Sequence, residues 1–156
     1  MSTASSAVET PHILRPPYRD EQIDLGKEWD PPELRCGSTT QELGVWGEEV
    51  AYRHLRARSI QILERNWRCR RGEIDLICYD PARGSIFACE VKTRRDHGRV
   101  PAIESISRAK LARLRQLLAF WISTHNMHAE LLEIDVIAIT VSADHSWNLC
   151  HIEGVL

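Results

Sequence analysis

Asp75, Glu90 and Lys92 are the residues whose types and spacing could do chemistry together. They lie in two apolar runs, Gly72-Glu73-Ile74-Asp75-Leu76-Ile77 and Phe87-Ala88-Cys89-Glu90-Val91-Lys92-Thr93-Arg94, separated by the turn-forming Asp80-Pro81-Ala82-Arg83-Gly84. If residues 80–85 close a hairpin, Tyr79 pairs with Ile86 and Asp75 falls opposite Glu90, with Cβ atoms roughly 4.5–5.5 Å apart. Strand side chains alternate, so Lys92 shares the face of Glu90 while Cys89 and Val91 point away. Two carboxylates that close repel each other unless a cation lies between them. Lys92 could be that cation, and so could Mg²⁺ or Mn²⁺, which favour carboxylate, water and phosphate oxygens. Such an ion polarises a scissile phosphate and lowers the pKa of a bound water. Lys92 would then position that water or stabilise developing negative charge, and the main-chain carbonyl of Val91 could be a further ligand. The competing reading is an ordinary surface salt bridge, since Glu-x-Lys on a strand is a weak signal alone.

Cations flank this patch. Arg68, Arg70 and Arg71 precede the first run, Arg94 and Arg95 end the second, and Lys110 and Arg113 begin a basic helix face. Guanidinium groups offer bidentate donors to phosphate oxygens, which sets affinity and not sequence preference. Trp67 could stack on an unpaired base, although anchoring the core is the commoner use. The net charge is −2, yet residues 53–115 carry 16 Lys and Arg against 7 Asp and Glu, and residues 116–156 carry no Lys or Arg. Local charge density governs phosphate binding, so nucleic acid remains a partner despite the acidic total. His125 and His128, spaced i, i+3, lack a third zinc ligand and read as exposed helix-end residues. No Ser, Cys or Thr sits in an activating context, and no glycine-rich phosphate loop is present.

The elements that must position these residues follow from periodicity. Thr40 is read as a helix N-cap, with Leu43, Trp46, Val50, His54 and Leu55 at helical spacing to about Ser59. Strands are expected at Ile60–Glu64, Ile74–Tyr79 and Ser85–Thr93, with residues 66–72 as a basic link. A polar loop containing Gly98 leads to a helix starting at Pro101 and running to about Thr124, with Ile106, Leu111, Leu114, Leu117, Leu118 and Trp121 as its buried stripe. An alternating strand at Leu131–Val141 and a last one at Trp147–Ile152 complete an α/β sheet with helices packed on it. Residues 1–39 hold five of the seven prolines and little apolar periodicity, and read as a disordered or loosely ordered extension before one domain at 40–156. The five dispersed cysteines indicate neither a zinc knuckle nor a disulfide framework. With no signal peptide and no apolar run of roughly 20 residues, the expectation is a cytoplasmic protein without a membrane partner.

The strings Gly44-Val45-Trp46-Gly47-Glu48, Asn66-Trp67-Arg68-Cys69-Arg70-Arg71-Gly72-Glu73-Ile74-Asp75-Leu76-Ile77, Glu90-Val91-Lys92-Thr93-Arg94 and Ile134-Asp135-Val136, in that order, resemble the YraN family. Those small bacterial proteins are similar to Holliday-junction resolvases and PD-(D/E)xK restriction endonucleases. The resemblance covers about residues 40–142. It implies a restriction-endonuclease-like αβββαβ core, with the metal-site acid on Asp75, the E-x-K pair on Glu90 and Lys92, and the first helix's glutamate on Glu48. On a helical wheel Glu48 lies at the margin of the buried stripe, while Glu49 points further to solvent. Glu73 is read as the partner of an arginine. The function expected is Mg²⁺-dependent hydrolysis of DNA phosphodiester bonds, on branched or structured DNA, with DNA favoured over RNA. A non-catalytic nucleic-acid-binding module is the alternative, and an inert scaffold the least favoured. A two-fold substrate such as a junction would suit a homodimer, though no residue marks an interface.

Overall fold

In the computed structural model, which describes residues 32–96 and 106–155, the chain enters its first helix through a capping box. Thr39 Oγ1 accepts the Glu42 N–H at 3.2 Å and Glu42 returns a bond to the Thr39 N–H at 2.7 Å. The cap is therefore Thr39, one residue earlier than the Thr40 expected, because only residue 39 has a glutamate three positions on. Helix α1 (Thr40–Ala57) is followed by strands β1 (Gln61–Cys69), β2 (Gly72–Asp80) and β3 (Ser85–Arg95), helix α2 (Arg108–Thr124), and strands β4 (Leu131–Val141) and β5 (Trp147–Ile152). The sheet order is β1-β2-β3-β4-β5, antiparallel except for the parallel β3–β4 pair that α2 bridges. This is the αβββαβ core expected, with β5 added at one edge.

The helices cover opposite faces of the sheet. Leu43, Trp46, Val50, Ala51 and Leu55 of α1 pack on Leu76, Cys78, Phe87, Cys89, Ile137 and Ile139. Leu111, Leu114, Leu117, Leu118 and Trp121 of α2 pack on Ile74, Ile77, Ile86, Ala88, Ile134 and Val136. Strand β4 is consequently buried on both faces from Ile134 to Ile139. The in–out alternation expected for it gives way because a strand between two helices has no solvent side.

Two expectations about element ends are corrected. The first strand does not stop at Glu64; it continues to Cys69, so Arg65 and Arg68 belong to a strand and only Arg70 and Arg71 form the turn. The proposed start of the second helix at Pro101, like Gly98 and the loop around it, lies outside the described residues, and Ser107 is extended (φ −76°, ψ 155°) and caps α2, accepting the Lys110 N–H at 3.1 Å. Ahead of α1, residues 32–38 lie against the domain: Trp46 donates to the Pro32 carbonyl at 2.7 Å and Leu34 joins the α1 cluster. No helix among the described residues is long and apolar enough to cross a membrane.

Candidate active site

Strict alternation along β1 and β2 would keep Arg65 and Trp67 on one face, and likewise Ile74 and Leu76. Instead Leu76 packs under α1, and Trp67 and Ile74 pack under α2. The ribbon rolls over between these pairs, at Asn66 and Asp75. Asn66 has φ +51°, a left-handed conformation that asparagine tolerates better than branched residues. Asp75 thus stands at the roll, between the two faces of the sheet.

The hairpin register is the one read from the turn, with Tyr79 opposite Ile86 and Leu76 opposite Cys89. The ladder ends there, so Asp75 and Glu90 do not form a further rung. Asp75 Oδ2 instead accepts the Val91 main-chain N–H at 2.8 Å, taking the place of the backbone acceptor that the roll removes. The N–H and C=O of one strand residue leave on the same side, so the Val91 carbonyl is also directed toward β2. Glu90 and Lys92 alternate onto the α2 side with Ala88.

Glu48 reaches the same place from α1. A Cβ at Gly47 would overlap the Thr93 side chain, so only glycine lets α1 lie this close to β3, and Glu48 is the next residue. Glu49 is occupied elsewhere, paired with Arg53 at 2.9 Å and Arg65 at 3.1 Å. Burial, then the charge of Asp75, raises the Glu48 carboxyl above its ordinary range, against a side-chain bond from Asn66. Glu90 is raised for the same two reasons, burial first and Asp75 second. Asp75 is raised by burial, which outweighs the Val91 bond and the cations Lys110 and Lys92. Asp75 is therefore the common neighbour of two other carboxylates, and all three resist ionising.

The cation beside Glu90 is not the one expected. Lys110 Nζ lies 3.2 Å from Glu90 Oε1, whereas Lys92 makes no ion pair among the described residues. Lys110 was assigned to the nucleic-acid backbone because an ion pair between α2 and β3 is a tertiary contact that no spacing in the sequence reveals. Arg95, read from the sequence as a phosphate contact, donates to the Ser38 carbonyl at 2.9 Å and holds the segment before α1. Arg94 shares the alternation of Glu90 and Lys92 at the end of β3. Glu73 pairs with Arg68 at 3.0 Å, both exposed.

Beside the carboxylates a groove of about 500 Å³ opens between the β1–β2 turn and α2. Arg68, Arg70, Arg71, Lys110 and Arg113 rim it, Glu73 is its one acid, and Leu114 and Leu117 form an apolar floor. Arg71 lies over the Phe120 ring at 5.3 Å, and Arg70 and Arg113 have no ion-pair partner among the described residues. Trp67 packs on Phe120 at 6.2 Å and anchors the ribbon to α2. His125 stacks on the Trp121 ring.

Among the described residues no three His, Cys, Asp or Glu side chains stand together as a ready-made metal cage. The donor set still suits a hard cation. Asp75 keeps Oδ1 and Glu90 keeps Oε2 after their bonds to Val91 and Lys110, and Mg²⁺ commonly takes one or two carboxylates and completes its shell with water and phosphate.

A second polar cluster, unforeseen from the sequence, lies on the α1 side of β4. Asp135 is fully buried, with Arg83 and His151 each 3.0 Å from Oδ2 and the Gly154 N–H 3.0 Å from Oδ1. Arg58 donates to His151 Nδ1 at 2.7 Å, which leaves the proton on Nε2, facing Asp135. His54 lies 3.2 Å from the same Nδ1. A lone Asp in an apolar strand is the available signal, but its partners come from the β2–β3 turn, from β5 and from the residues just after β5.

The fold and site together define a two-sided α/β domain with a carboxylate patch at a rolled hairpin and a basic groove beside it. Uncharacterised protein family UPF0102 matches residues 47–152. A UPF0102 protein of Mycolicibacterium smegmatis is 42% identical over 117 residues, which cover 75% of this chain and 94% of that protein. Another, from Kineococcus radiotolerans, is 40% identical over 114 residues, or 72% and 92%. The chain belongs to this family, the YraN family that its motifs resemble.

Proposed function

We propose that this protein is a Mg²⁺-dependent phosphodiesterase that cleaves DNA, with branched or structured DNA as its substrate and a cytoplasmic setting. One observation carries the reading: Asp75, bonded to the Val91 N–H at 2.8 Å, and Glu90, 3.2 Å from the Lys110 ammonium, stand beside a groove rimmed by cations. Burial, then the charge of Asp75, holds the carboxyls of Glu48 and Glu90 above their ordinary range. Lys110 and Lys92 already offset part of this negative charge, yet the carboxyls stay raised, and a divalent ion would relieve the rest. Asp75 and Glu90 would hold the ion, with the Val91 carbonyl as a further oxygen. When bound, Mg²⁺ supplies Lewis-acid polarisation of the phosphate and an acidified water. Lys92 would help position the attacking water and offset negative charge at the phosphate, Glu48 would add a carboxylate from the α1 side, and the arginines of the groove would bind flanking phosphates.

The Lys110–Glu90 pair favours a second reading, a nucleic-acid-binding module without cleavage, because it neutralises Glu90 with no metal present. Nicking assays on linear, nicked, flap and four-way DNA in Mg²⁺ or Mn²⁺ separate the two. The nuclease reading expects cleavage of at least one substrate by the wild type and none by Asp75→Asn, with DNA affinity retained. Tight binding without cleavage in either metal supports the module, and equal nicking by both proteins rejects the site.

A further inference from the structure

The Lys110 ammonium sits on the carboxylate that a divalent ion would need. It is 3.2 Å from Glu90 Oε1, and the Glu90 side chain is 13% exposed against 38% for Lys110. The backbone there is fixed, since the Lys110 N–H is held by the Ser107 cap. Its four-carbon stem is flexible, and the residue also lines the basic groove. Among the charges acting on Asp75 and Glu90, Lys110 counts for more than Lys92. An ammonium and a metal ion cannot both neutralise the same oxygen at full strength, because each repels the other at that distance.

We propose that Lys110 is an exchangeable counter-ion: it occupies Glu90 in the metal-free protein, yields that carboxylate to the divalent cation, and turns its ammonium into the groove beside Arg113. This inference rests on the reading of Asp75 and Glu90 as a metal centre and adds how that centre is coupled to phosphate binding. Metal entry frees a fifth cation for the groove, so bound metal strengthens nucleic-acid binding, and by reciprocity bound nucleic acid strengthens metal binding. In the metal-free protein the ammonium offsets part of the patch's negative charge, which limits its repulsion of phosphate.

The test is calorimetric titration of MgCl₂ into the full chain without nucleic acid, for wild type, Lys110→Met and Arg108→Met. Arg108 stands in the first turn of α2 and has no ion pair to the site. The exchange predicts that Lys110→Met binds Mg²⁺ roughly three- to tenfold more tightly than wild type, the scale of a partly buried ion pair removed as competitor. Arg108→Met should change affinity less than about twofold, as expected of a screened exposed charge. Equal or weaker binding by Lys110→Met, or an equal gain from Arg108→Met, overturns the exchange while leaving the metal centre intact. No binding by wild type or by Lys110→Met overturns both. A second readout needs no variant: the chain has three lysines, Lys27, Lys92 and Lys110, so their side-chain ammonium resonances can be followed individually. Mg²⁺ should shift that of Lys110, and a resonance unmoved at metal saturation contradicts the exchange.

Discussion

Asp75 and Asp135 are both aspartates on inner strands of one sheet, and their environments push them in opposite directions. Asp135 is fully buried, and burial alone would raise its carboxyl, yet donors from His151, Gly154 and Arg83 bring it below the ordinary range. Asp75 has one main-chain donor, and its burial outweighs both that bond and the charges of Lys110 and Lys92, so its carboxyl is raised. Burial is common to both; the number of donors is what differs. A carboxylate with all its lone pairs engaged holds the fold together. One left short of donors costs stability that a bound cation would return, as expected of the metal site proposed at Asp75.

The comparison breaks hardest at Asp135. Replacing it with alanine leaves the buried His151 and the Gly154 N–H without their acceptor and takes one of several acidic partners from Arg83, and about 3–5 kcal/mol of stability should be lost in urea melts. A loss below about 1 kcal/mol, the range of an exposed ion pair, would mean that this cluster is not structural. Asn66→Val comes next. A branched residue at φ +51° should cost roughly 1–2 kcal/mol and should weaken metal affinity by disturbing the roll that sets Asp75, whereas Asn66→Gly should be milder in both.

Asp75→Asn should act with the opposite sign. Because the folded carboxyl is raised above its ordinary 3.8, the wild type pays nothing while the group is protonated in both states. It loses stability as pH climbs from there through the folded value. The amide still accepts from Val91, so the variant should melt higher than the metal-free wild type at pH 7, by roughly 2–6 °C, with the gain fading toward pH 4. A variant less stable than wild type at every pH would contradict the account of Asp75.

His54 gives the smallest effect and again the opposite pH trend. Burial first, then His151 and Arg58, lowers it from 6.5 to about 4. The unfolded chain takes up a proton below pH 6.5 that the folded state refuses, so stability falls between pH 6.5 and 4. Discounted for partial exposure, the loss by pH 5 is about 1 kcal/mol, and His54→Asn should flatten that slope. Acid thus relieves the Asp75 patch while it strains the Asp135 side.

Much of this architecture was legible as pattern. The turn Asp80–Gly84 set the hairpin register correctly, and the ends of β4 and β5 followed from their apolar runs. The sequence cuts β1 short because Arg65, Asn66 and Arg68 interrupt its alternation, and it does not show that the interruption is a roll within one strand. Asp75, Glu90 and Lys92 could be singled out by local spacing, but the partner of Glu90 could not. Lys110 arrives from the far helix, and its position depends on how α2 packs against the sheet. The Asp135 cluster is hidden for the same reason, since Arg83 comes from the β2–β3 turn and His151 and Gly154 from the end of β5 and just beyond it.

The most direct measurement is titration of Mg²⁺ into metal-free wild type and Asp75→Asn, with binding heat and melting temperature recorded on the same samples. Wild type should bind the ion and gain thermal stability from it, while Asp75→Asn should begin more stable and show neither the heat nor the gain. Identical heats and identical stabilisation in the two proteins would contradict the assignment of Asp75 as the centre of a cation site.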